Sequence, residues 1–301
     1  MNNTLVTGGT GLVGSTIDAE IKLSSSDVDL RDWNSTLKFF EKISPTNVIH
    51  CAARVGGVGG NMNAKGEFYY DNIMINTNVL EASRRIGVKK VVSFLSTCIF
   101  PDDIEYPLTE KKIHLGAPHK TNYGYAYSKR MLDVQAECYR EQYGVNFVSV
   151  VPTNIYGPHD NFNINTGHVL PSLLHKCYIA NENNTDLEVW GDGSSLREFI
   201  YSEDIGKLTN WALNDYDEVE PIIFTTSDEI SIKDLVDIIV TEFGFKGKVV
   251  FNTDKPNGQY RKPSDNSKLL KYLPEFKFTP IEVGVRKTIE WINSNYENMR
   301  K

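Results

Sequence analysis

Short apolar runs alternate with longer amphipathic stretches through the first half of the chain. A continuous apolar run of roughly four to eight residues is typical of a strand buried in a parallel sheet, whereas apolar residues three and four positions apart indicate a helix. The pattern predicts strands at 4–7, 20–23, 46–53, 89–95 and 145–151, and helices at 34–42, 67–86 and 123–143. Because strands and helices alternate, we predict an α/β fold with a doubly wound parallel (Rossmann) sheet.

The pattern changes after residue 160, where polar loops separate shorter elements. It predicts helices at 168–180, 202–213, 231–243 and 281–296, and strands at 187–193, 197–201, 222–225 and 249–252. Ser202 is a candidate N-cap, because a serine hydroxyl can accept a backbone N–H group of the first turn. We therefore predict a Rossmann domain over 1–161, to which 200–228 returns, and a smaller α+β substrate domain over 162–301.

A glycine-rich turn directly follows the first predicted strand. Gly8, Gly11 and Gly14 form the pattern G-x-x-G-x-x-G, and a helix-like run comes after it. In a dinucleotide site the first glycine allows the tight turn, the second lets the backbone approach a pyrophosphate, and the third packs helix against strand. The phosphates would then lie at the helix N-terminus. A simple glycine turn is the alternative interpretation.

The connection between the first two predicted strands is very short. Only residues 8–19 separate them, whereas a parallel crossover normally needs about a dozen residues or more. We expect a very short helix or irregular structure there, and a less enclosed site for the adenosine half of a dinucleotide. A second glycine-rich segment, at 56–60, is predicted to be a loop after the third strand, either a surface turn or a lid near the cofactor.

A possible proton relay lies on the predicted helix at 123–143. Tyr125 and Lys129 are four residues apart, a spacing that places two side chains on one helix face. A lysine ammonium beside a tyrosine favours the phenolate and is expected to lower the pKa of the tyrosine. Such a pair can exchange a proton with the oxygen of a ketone or alcohol, which hydride transfer requires. Two unrelated surface residues are the alternative.

Composition argues against several classes of protein. The 301 residues are 40% hydrophobic and 24% charged, which is ordinary for a globular protein. The net charge of −7 argues against nucleic-acid binding. No apolar run approaches the ~18 residues of a membrane span, and the N-terminus lacks the features of a signal peptide. The four cysteines are widely spaced, which argues against a disulfide framework or a zinc site and fits a cytoplasmic location. We interpret Cys51, Cys138 and Cys177 as small core residues.

Several motifs together resemble the extended short-chain dehydrogenase/reductases. They are the glycine turn, Ser96 at the end of the fourth predicted strand, and the Tyr-x-x-x-Lys pair. Within that family, four stretches are similar to the bifunctional epimerase/reductases that act on GDP-4-keto-6-deoxy-D-mannose. These stretches are 96–101 (STCIFP), 152–162 (PTNIYGPHDNF), 167–171 (GHVLP), and Trp190-Gly191 with Arg197-Glu198-Phe199. The resemblance runs almost from end to end, and the second and third stretches are long and specific.

The resemblance implies a role for each matching residue. Ser96, Tyr125 and Lys129 would form the reductase triad, and Cys98 and His168 would be the acid and base of the epimerase. The residues implied to bind NADP(H) are Gly8, Gly9, Thr10, Gly11, Leu12, Val13, Gly14, Ala52, Ala53, Leu95, Ser96, Thr97, Lys129, Pro152, Thr153, Asn154, Ile155 and His168. Those implied to bind the GDP-sugar are Lys176, Trp190, Arg197 and Asp265. A homodimer joined through the long helices of the first domain is also implied.

The implied pair for epimerisation suits the chemistry. A C4 ketone acidifies the hydrogens at C3 and C5, and inversion needs one group to remove a proton and another to return one. Cysteine (pKa ~8.5) and histidine (pKa ~6.5) are groups of suitable intermediate acidity. Cys98 is expected near a positive charge, because the thiolate is the reactive form. His168 precedes a predicted helix, whose dipole is expected to lower the pKa of the imidazole.

Three functions remain open from the sequence. The first is NADPH-dependent 3,5-epimerisation and 4-reduction of GDP-4-keto-6-deoxy-D-mannose. The second is a related epimerisation or dehydration of another nucleotide sugar. The third is a non-catalytic nucleotide-sugar-binding module whose cofactor site is damaged by the short crossover. No basic residue is evident for the 2′-phosphate of NADP, although the hydroxyls of Thr10 and Ser24–Ser26 lie near the expected site.

Overall fold

A computed structural model describes residues 3–57, 64–255 and 259–301, so positions 58–60 of the glycine-rich loop predicted at 56–60 lie outside the described residues. The strands are β1 (Thr4–Thr7), β2 (Ile21–Leu23), β3 (Asn47–His50), β4 (Lys90–Phe94), β5 (Asn146–Pro152), β6 (Asn154–Tyr156), β7 (Leu187–Trp190), β8 (Leu196–Tyr201), β9 (Ile222–Phe224), β10 (Glu229–Ser231) and β11 (Val249–Asn252). The α-helices are α1 (Trp33–Ile43), α2 (Lys65–Arg85), α3 (Tyr123–Tyr143), α4 (Val169–Asn183), α5 (Ser202–Asp215), α6 (Ile232–Phe243), α7 (Ser267–Tyr272) and α8 (Ile281–Asn295).

A six-stranded parallel sheet forms the centre of the fold, in the order β2-β1-β3-β4-β5-β9. Successive residues of its strands enter different hydrophobic clusters: Leu5, Val91 and Phe147 pack in one, and their neighbours Val6, Val92 and Val148 pack in another. Both faces of the sheet are therefore buried, which explains why these strands read as continuous apolar runs. The predicted doubly wound α/β sheet is confirmed, and β9 places residues from 200–228 in the same sheet.

The second part of the chain builds smaller sheets around its own core. One is three-stranded, in the order β10-β8-β6, and the other pairs β11 with β7. Their core includes Leu174, Val189, Leu235 and Val285, all at most 1% exposed. Residues 154–156, where the apolar pattern predicts no strand, form β6, because they pair in parallel with the distant strand β8.

The crossover between β1 and β2 contains a single 3-10 turn, Gly14–Thr16, in agreement with the prediction of a very short helix. Ile17 anchors it, with no exposed surface, in the same cluster as Val6. Lys22 Nζ donates to the carbonyl of Ser15 at 2.9 Å. Gly206 of α5 packs closely on the turn, since a Cβ there would lie 2.6 Å from the carbonyl oxygen of Thr16. The short connection is therefore packed and hydrogen-bonded.

Two local predictions are wrong. Ser202 is the first residue of α5 and not its N-cap, because Tyr201 occupies that position, and the hydroxyl of Ser202 is buried without a hydrogen-bond partner. Cys138 is exposed and is not a core residue, whereas Cys177 is buried as predicted. Among the described residues, no helix is both long enough and apolar enough to cross a bilayer.

Candidate active site

The glycine turn closes tightly on the ends of β1 and β3. Gly8 adopts a left-handed conformation (φ +68°), and a Cβ on it would lie 2.9 Å from the backbone nitrogen of Ala52. Only glycine accepts both conditions without strain. The backbone N–H of Gly11 donates to the carbonyl of Gly8 at 3.1 Å, and that of Gly9 donates to Leu23 at 2.8 Å. The fold thus brings together the predicted cofactor residues of the turn and Ala52.

Gly14 gives the first prediction. A Cβ at this buried position would lie 2.6 Å from the Cα of Gly9, so Gly14→Ala must displace the backbone of the turn. We expect a loss of about 1–3 kcal/mol in the free energy of unfolding, measured by urea denaturation, together with weaker binding of NADPH. Gly66→Ala on α2 is the matched control, because a Cβ there meets nothing within 4 Å. Equal stability of Gly14→Ala and the parent protein would contradict this reading of the turn.

Lys129 fixes the candidate catalytic helix α3 to the end of β4. It is only 2% exposed, and its Nζ donates to the carbonyl of Phe94 at 2.7 Å. Burial lowers the pKa of Lys129 to about 8, because the charged form loses solvation. The ammonium group is therefore held at the end of β4, where the segment of Leu95, Ser96 and Thr97 begins.

Ser96, Cys98 and Tyr125 act on one another. Ser96 caps a 3-10 turn, Thr97–Ile99, and accepts the backbone N–H of Cys98 at 3.3 Å. Asn122 Nδ2 lies 3.6 Å from Cys98 Sγ. Burial is the main cause that raises the pKa of Tyr125 above its usual range; a charge on Cys98 raises it further, and a hydrogen bond with Ser96 lowers it. The expectation that Lys129 would lower the pKa of Tyr125 is therefore wrong, since burial raises that pKa and Lys129 is not among the groups that shift it, and the side chain remains a phenol that can donate a proton.

A buried hydrogen-bond network, which no sequence motif indicates, supports this helix. His50 Nδ1 lies 2.8 Å from Thr7 Oγ1, and His50 Nε2 lies 3.0 Å from Asn76 Oδ1. Asn76 in turn donates to the carbonyl of Ser128 at 3.2 Å, and Ser128 Oγ donates to the carbonyl of Tyr125 at 2.7 Å. Burial, with Lys129 nearby, lowers the pKa of His50 to about 3, so the imidazole is neutral. The network links β1 and β3 to the turn of α3 that carries Tyr125.

His168 lies at the N-cap position of α4, and its side chain forms no capping hydrogen bond there. The pKa of His168 is lowered, first because the surrounding protein disfavours the charged ring and then because Arg300 is positive. The direction agrees with the prediction, although the causes are not the helix dipole. The preceding loop lies beside the segment after β3, since the N–H of Gly57 donates to the carbonyl of Thr166 at 2.8 Å.

The remaining predicted cofactor residues lie at the junction of β5 and β6. Pro152 ends β5, and Asn154 and Ile155 belong to β6. The N–H of Thr153 donates to the carbonyl of Phe224 at 3.1 Å, and Asn154 Nδ2 donates to that of Glu198 at 2.7 Å. Since β4 and β5 are parallel neighbours, this junction lies at the same sheet edge as Ser96. Open α/β sheets bind ligands at the carboxyl ends of their strands. The residues predicted to bind the cofactor lie at those ends.

The predicted substrate residues separate into groups. Lys176 Nζ lies 4.6 Å from the ring centroid of Trp190, and Trp190 is 46% exposed, so these two form one surface. Arg197 is half-buried, and its NH1 donates to the carbonyl of Leu196 at 2.7 Å. The carboxylate of Asp265 accepts the N–H of Ser267 at 2.7 Å at the start of α7, a structural use of that group. A role for Asp265 in substrate binding stays a prediction.

Lys262 is a candidate residue that the sequence analysis missed. It lies in an irregular segment held by hydrogen bonds from Leu196 N–H to Tyr260 and from Leu108 N–H to Pro263, each 2.8 Å long. Burial lowers the pKa of Lys262, and negative charge on Cys98 opposes that effect. The Lys262 ammonium and Cys98 therefore interact electrostatically. The positive charge expected near Cys98 is therefore present.

The residues present fit a bound dinucleotide. The glycine turn leaves open space at Gly11, where a Cβ would approach only the carbonyl of Gly8, at 3.5 Å. After β2, the fold adds basic residues that the sequence did not reveal: Lys38 and Lys42 of α1 line a cavity of about 460 Å³ together with Ser25 and Ser26. Positive charge therefore lies beside the serine hydroxyls that follow β2, which are candidates to bind a 2′-phosphate.

Known proteins resemble this chain over nearly its whole length. Residues 4–225 match the model of the NAD dependent epimerase/dehydratase family. The chain is 50% identical over 310 residues to the GDP-L-fucose synthase of Dictyostelium discoideum, covering 99% of this chain and 97% of that protein. It is 32% identical to the GDP-L-fucose synthase of Escherichia coli, covering 98% of each. A crystal structure of a GDP-L-fucose synthetase from Naegleria fowleri bound to NADP matches with a TM-score of 0.95 and 46% identity, covering 100% of this chain and 95% of that one.

Proposed function

Because this chain belongs to the GDP-L-fucose synthases of the NAD dependent epimerase/dehydratase family, we propose that it converts GDP-4-keto-6-deoxy-D-mannose to GDP-L-fucose in two stages. The first is epimerisation at C3 and C5, and the second is NADPH-dependent reduction at C4. The observation that carries the proposal is the interaction of Ser96, Cys98 and Tyr125 beside the buried Lys129. Proton-exchanging groups for both stages therefore lie at one sheet edge.

In the first stage, Cys98 and His168 exchange protons with C3 and C5. Lys262 interacts electrostatically with Cys98, and the lowered pKa of His168 favours its neutral imidazole. The negative charge that develops on the C4 oxygen needs hydrogen-bond donors that are already in place. The hydroxyls of Ser96 and Tyr125, which interact with each other, supply them.

In the second stage, the same oxygen site serves the ketone. NADPH, when bound, supplies a hydride to C4. Tyr125 donates its proton to the oxygen that becomes a hydroxyl, which a tyrosine with a raised pKa can do because it remains protonated. Lys129 lies one turn after Tyr125 on α3, and its Nζ donates to the carbonyl of Phe94 at the end of β4. It therefore places positive charge near this site. Ala52, the glycine turn and the junction of β5 and β6 would hold the cofactor.

The experiment that tests the proposal supplies GDP-4-keto-6-deoxy-D-mannose and NADPH and follows absorbance at 340 nm together with the product. We expect NADPH oxidation and formation of GDP-L-fucose. No oxidation by folded protein would overturn the proposal. A preference for a UDP-sugar in a substrate panel would favour a related epimerase, and binding of the GDP-sugar without NADPH would favour a binding module.

Lys262→Met gives a separate prediction. Methionine keeps a long apolar side chain but removes the positive charge next to Cys98. We expect alkylation of Cys98 by iodoacetamide at pH 7 to slow by about threefold to tenfold, because the thiolate is the reactive form and a positive charge that interacts with it is lost. Lys255→Met is the control, since Lys255 lies over the ring of Trp190. An unchanged rate of alkylation in Lys262→Met would show that Lys262 does not affect the reactivity of Cys98.

The assembly and location follow the same proposal. The chain would divide into a Rossmann domain over 1–161, joined by 200–228, and a substrate domain over 162–301. A homodimer through α2 and α3 is supported by exposed Tyr69, Tyr70, Tyr123 and Met131, several of which line a cavity of about 490 Å³. Sedimentation velocity tests whether the protein is a homodimer. The free state of all four cysteines supports a cytoplasmic location.

A further inference from the structure

Two consecutive residues of α3 fasten the segment 95–98, which follows β4. Lys129 Nζ donates to the carbonyl of Phe94, the last residue of β4, at 2.7 Å. Arg130 Nε donates to the carbonyl of Ile99, the last residue of the 3-10 turn, at 2.6 Å. The segment is therefore held to α3 at both of its ends.

The guanidinium of Arg130 is buried and reaches a second backbone group. Only 4% of the residue is exposed, and its NH1 donates to the carbonyl of Gly116 at 2.6 Å. Gly116 belongs to the loop that follows the 3-10 turn, and this loop folds back on itself, since the N–H of Asp102 donates to the carbonyl of Ala117 at 3.0 Å. One guanidinium thus joins three segments: α3, the turn that carries Cys98, and the loop that follows the turn.

The third nitrogen of this guanidinium makes its burial costly. NH2 of Arg130 is buried, and it has no hydrogen-bond partner within the part of the chain that the structure describes. The ring of Tyr127, with its centroid 5.4 Å from Cζ of Arg130, offers only a cation–π contact. Because a buried donor without an acceptor loses its hydration uncompensated, an apolar side chain would serve stability better here. Such local costs are typical of functional sites.

The position of Cys98 depends on contacts from outside its turn. The N–H of Cys98 donates to Ser96 Oγ at 3.3 Å, a hydrogen bond that sets the shape of the turn but not its place against α3. Asn122 Nδ2, just before α3, lies 3.6 Å from Cys98 Sγ, whereas Arg130 holds the next carbonyl along the chain at 2.6 Å. A shift of that carbonyl would therefore move the sulfur.

We infer that Arg130 is a positioning residue for epimerisation: its guanidinium fixes the turn that carries Cys98 against the helix that carries Tyr125. The inference rests on the proposed role of Cys98 in proton exchange. A misplacement of about 1 Å can cost about a hundredfold in rate, because the reacting atoms must lie within a narrow range of distances. A lysine cannot replace Arg130 in this role, since an ammonium lacks the planar set of donors that holds two carbonyls at once.

The test compares Arg130→Met, which removes the donors, and Arg130→Lys, which keeps only the charge, with the parent protein. The first readout is deuterium incorporation at C3 and C5 of GDP-4-keto-6-deoxy-D-mannose in D₂O without NADPH, measured between pH 5.5 and 9. We expect exchange to be about tenfold to hundredfold slower in both variants at every pH, with the shape of the profile unchanged. The second readout is reduction of the already epimerised 4-keto sugar by NADPH. Its kcat and KM should stay within about threefold of the parent, because Tyr125 and Lys129 keep their own contacts.

Arg140→Met is the matched control, because Arg140 lies on the same helix and its NH2 also donates to a backbone carbonyl, that of Asp217, at 2.6 Å. Folded Arg140→Met should exchange deuterium at the parent rate. Parent-like exchange in folded Arg130→Met or Arg130→Lys would overturn this inference alone. So would a shifted limb of the pH profile in Arg130→Met, which would indicate an effect of charge, or an equal fall in reduction. A folded parent that does not exchange would overturn the proposed role of Cys98 and this inference with it.

Discussion

Tyr125→Phe is expected to slow NADPH oxidation by about 10²–10⁴-fold, the range that a positioned general acid contributes. The substitution removes one hydroxyl and leaves the ring, so α3 should keep its packing. Deuterium exchange at C3 and C5 should fall by about tenfold or less, because Ser96 still offers a donor to the C4 oxygen. The two stages would then separate in one variant, with reduction lost and proton exchange retained.

Tyr127→Phe is the control for this experiment. Tyr127 lies two residues further along α3, where its ring packs against Tyr123 at 4.7 Å and under the guanidinium of Arg130 at 5.4 Å. It has no proposed contact with the substrate, so NADPH oxidation should match that of the parent. The dissociation constant of NADPH should also be unchanged in both variants. Full reductase activity in Tyr125→Phe would show that another group protonates the alkoxide.

The central sheet could be predicted because burial on both faces produces continuous apolar runs. The strands β1, β4 and β5 agree with their predicted positions to within about two residues. The short strand β6 could not be predicted, because only its pairing with β8, more than forty residues away, makes it a strand. Local pattern determines the first kind of element and tertiary pairing the second.

The residues of the candidate site also fall into two groups: those that a local motif indicates, and those that only the fold brings together. Tyr125, Lys129, Ser96 and Cys98 could be proposed because they lie in short motifs. His50 could not, because its partners Thr7 and Asn76 come from β1 and α2 and become neighbours only in the folded sheet. Lys262 was missed because an irregular segment carries it. The predicted direction of the Tyr125 pKa shift is also wrong, because spacing along a helix does not show how much solvation the tyrosine loses on burial.

Cys98→Ser is expected to have the opposite effect to Tyr125→Phe. A serine hydroxyl is far less acidic than a thiol, so proton removal at C3 and C5 should slow by about 10²–10³-fold. Serine fits the half-buried position, and its backbone N–H still donates to Ser96, so the 3-10 turn should remain. GDP-L-fucose formation from the unepimerised ketone should fall equally, while NADPH binding is unchanged.

The decisive measurement supplies the already epimerised 4-keto sugar to Cys98→Ser. Reduction of that sugar depends on Tyr125, Lys129 and Ser96, which the substitution leaves in place, so its rate should stay within about threefold of the parent. Cys138→Ser is the control, because that exposed cysteine lies on the same helix as Tyr125 but has no proposed role. If Cys98→Ser exchanges deuterium as fast as the parent, Cys98 does not act in proton exchange, and another group must act together with His168. If both exchange and reduction fall together, the two stages share Cys98, and the division of labour between Cys98 and Tyr125 is wrong.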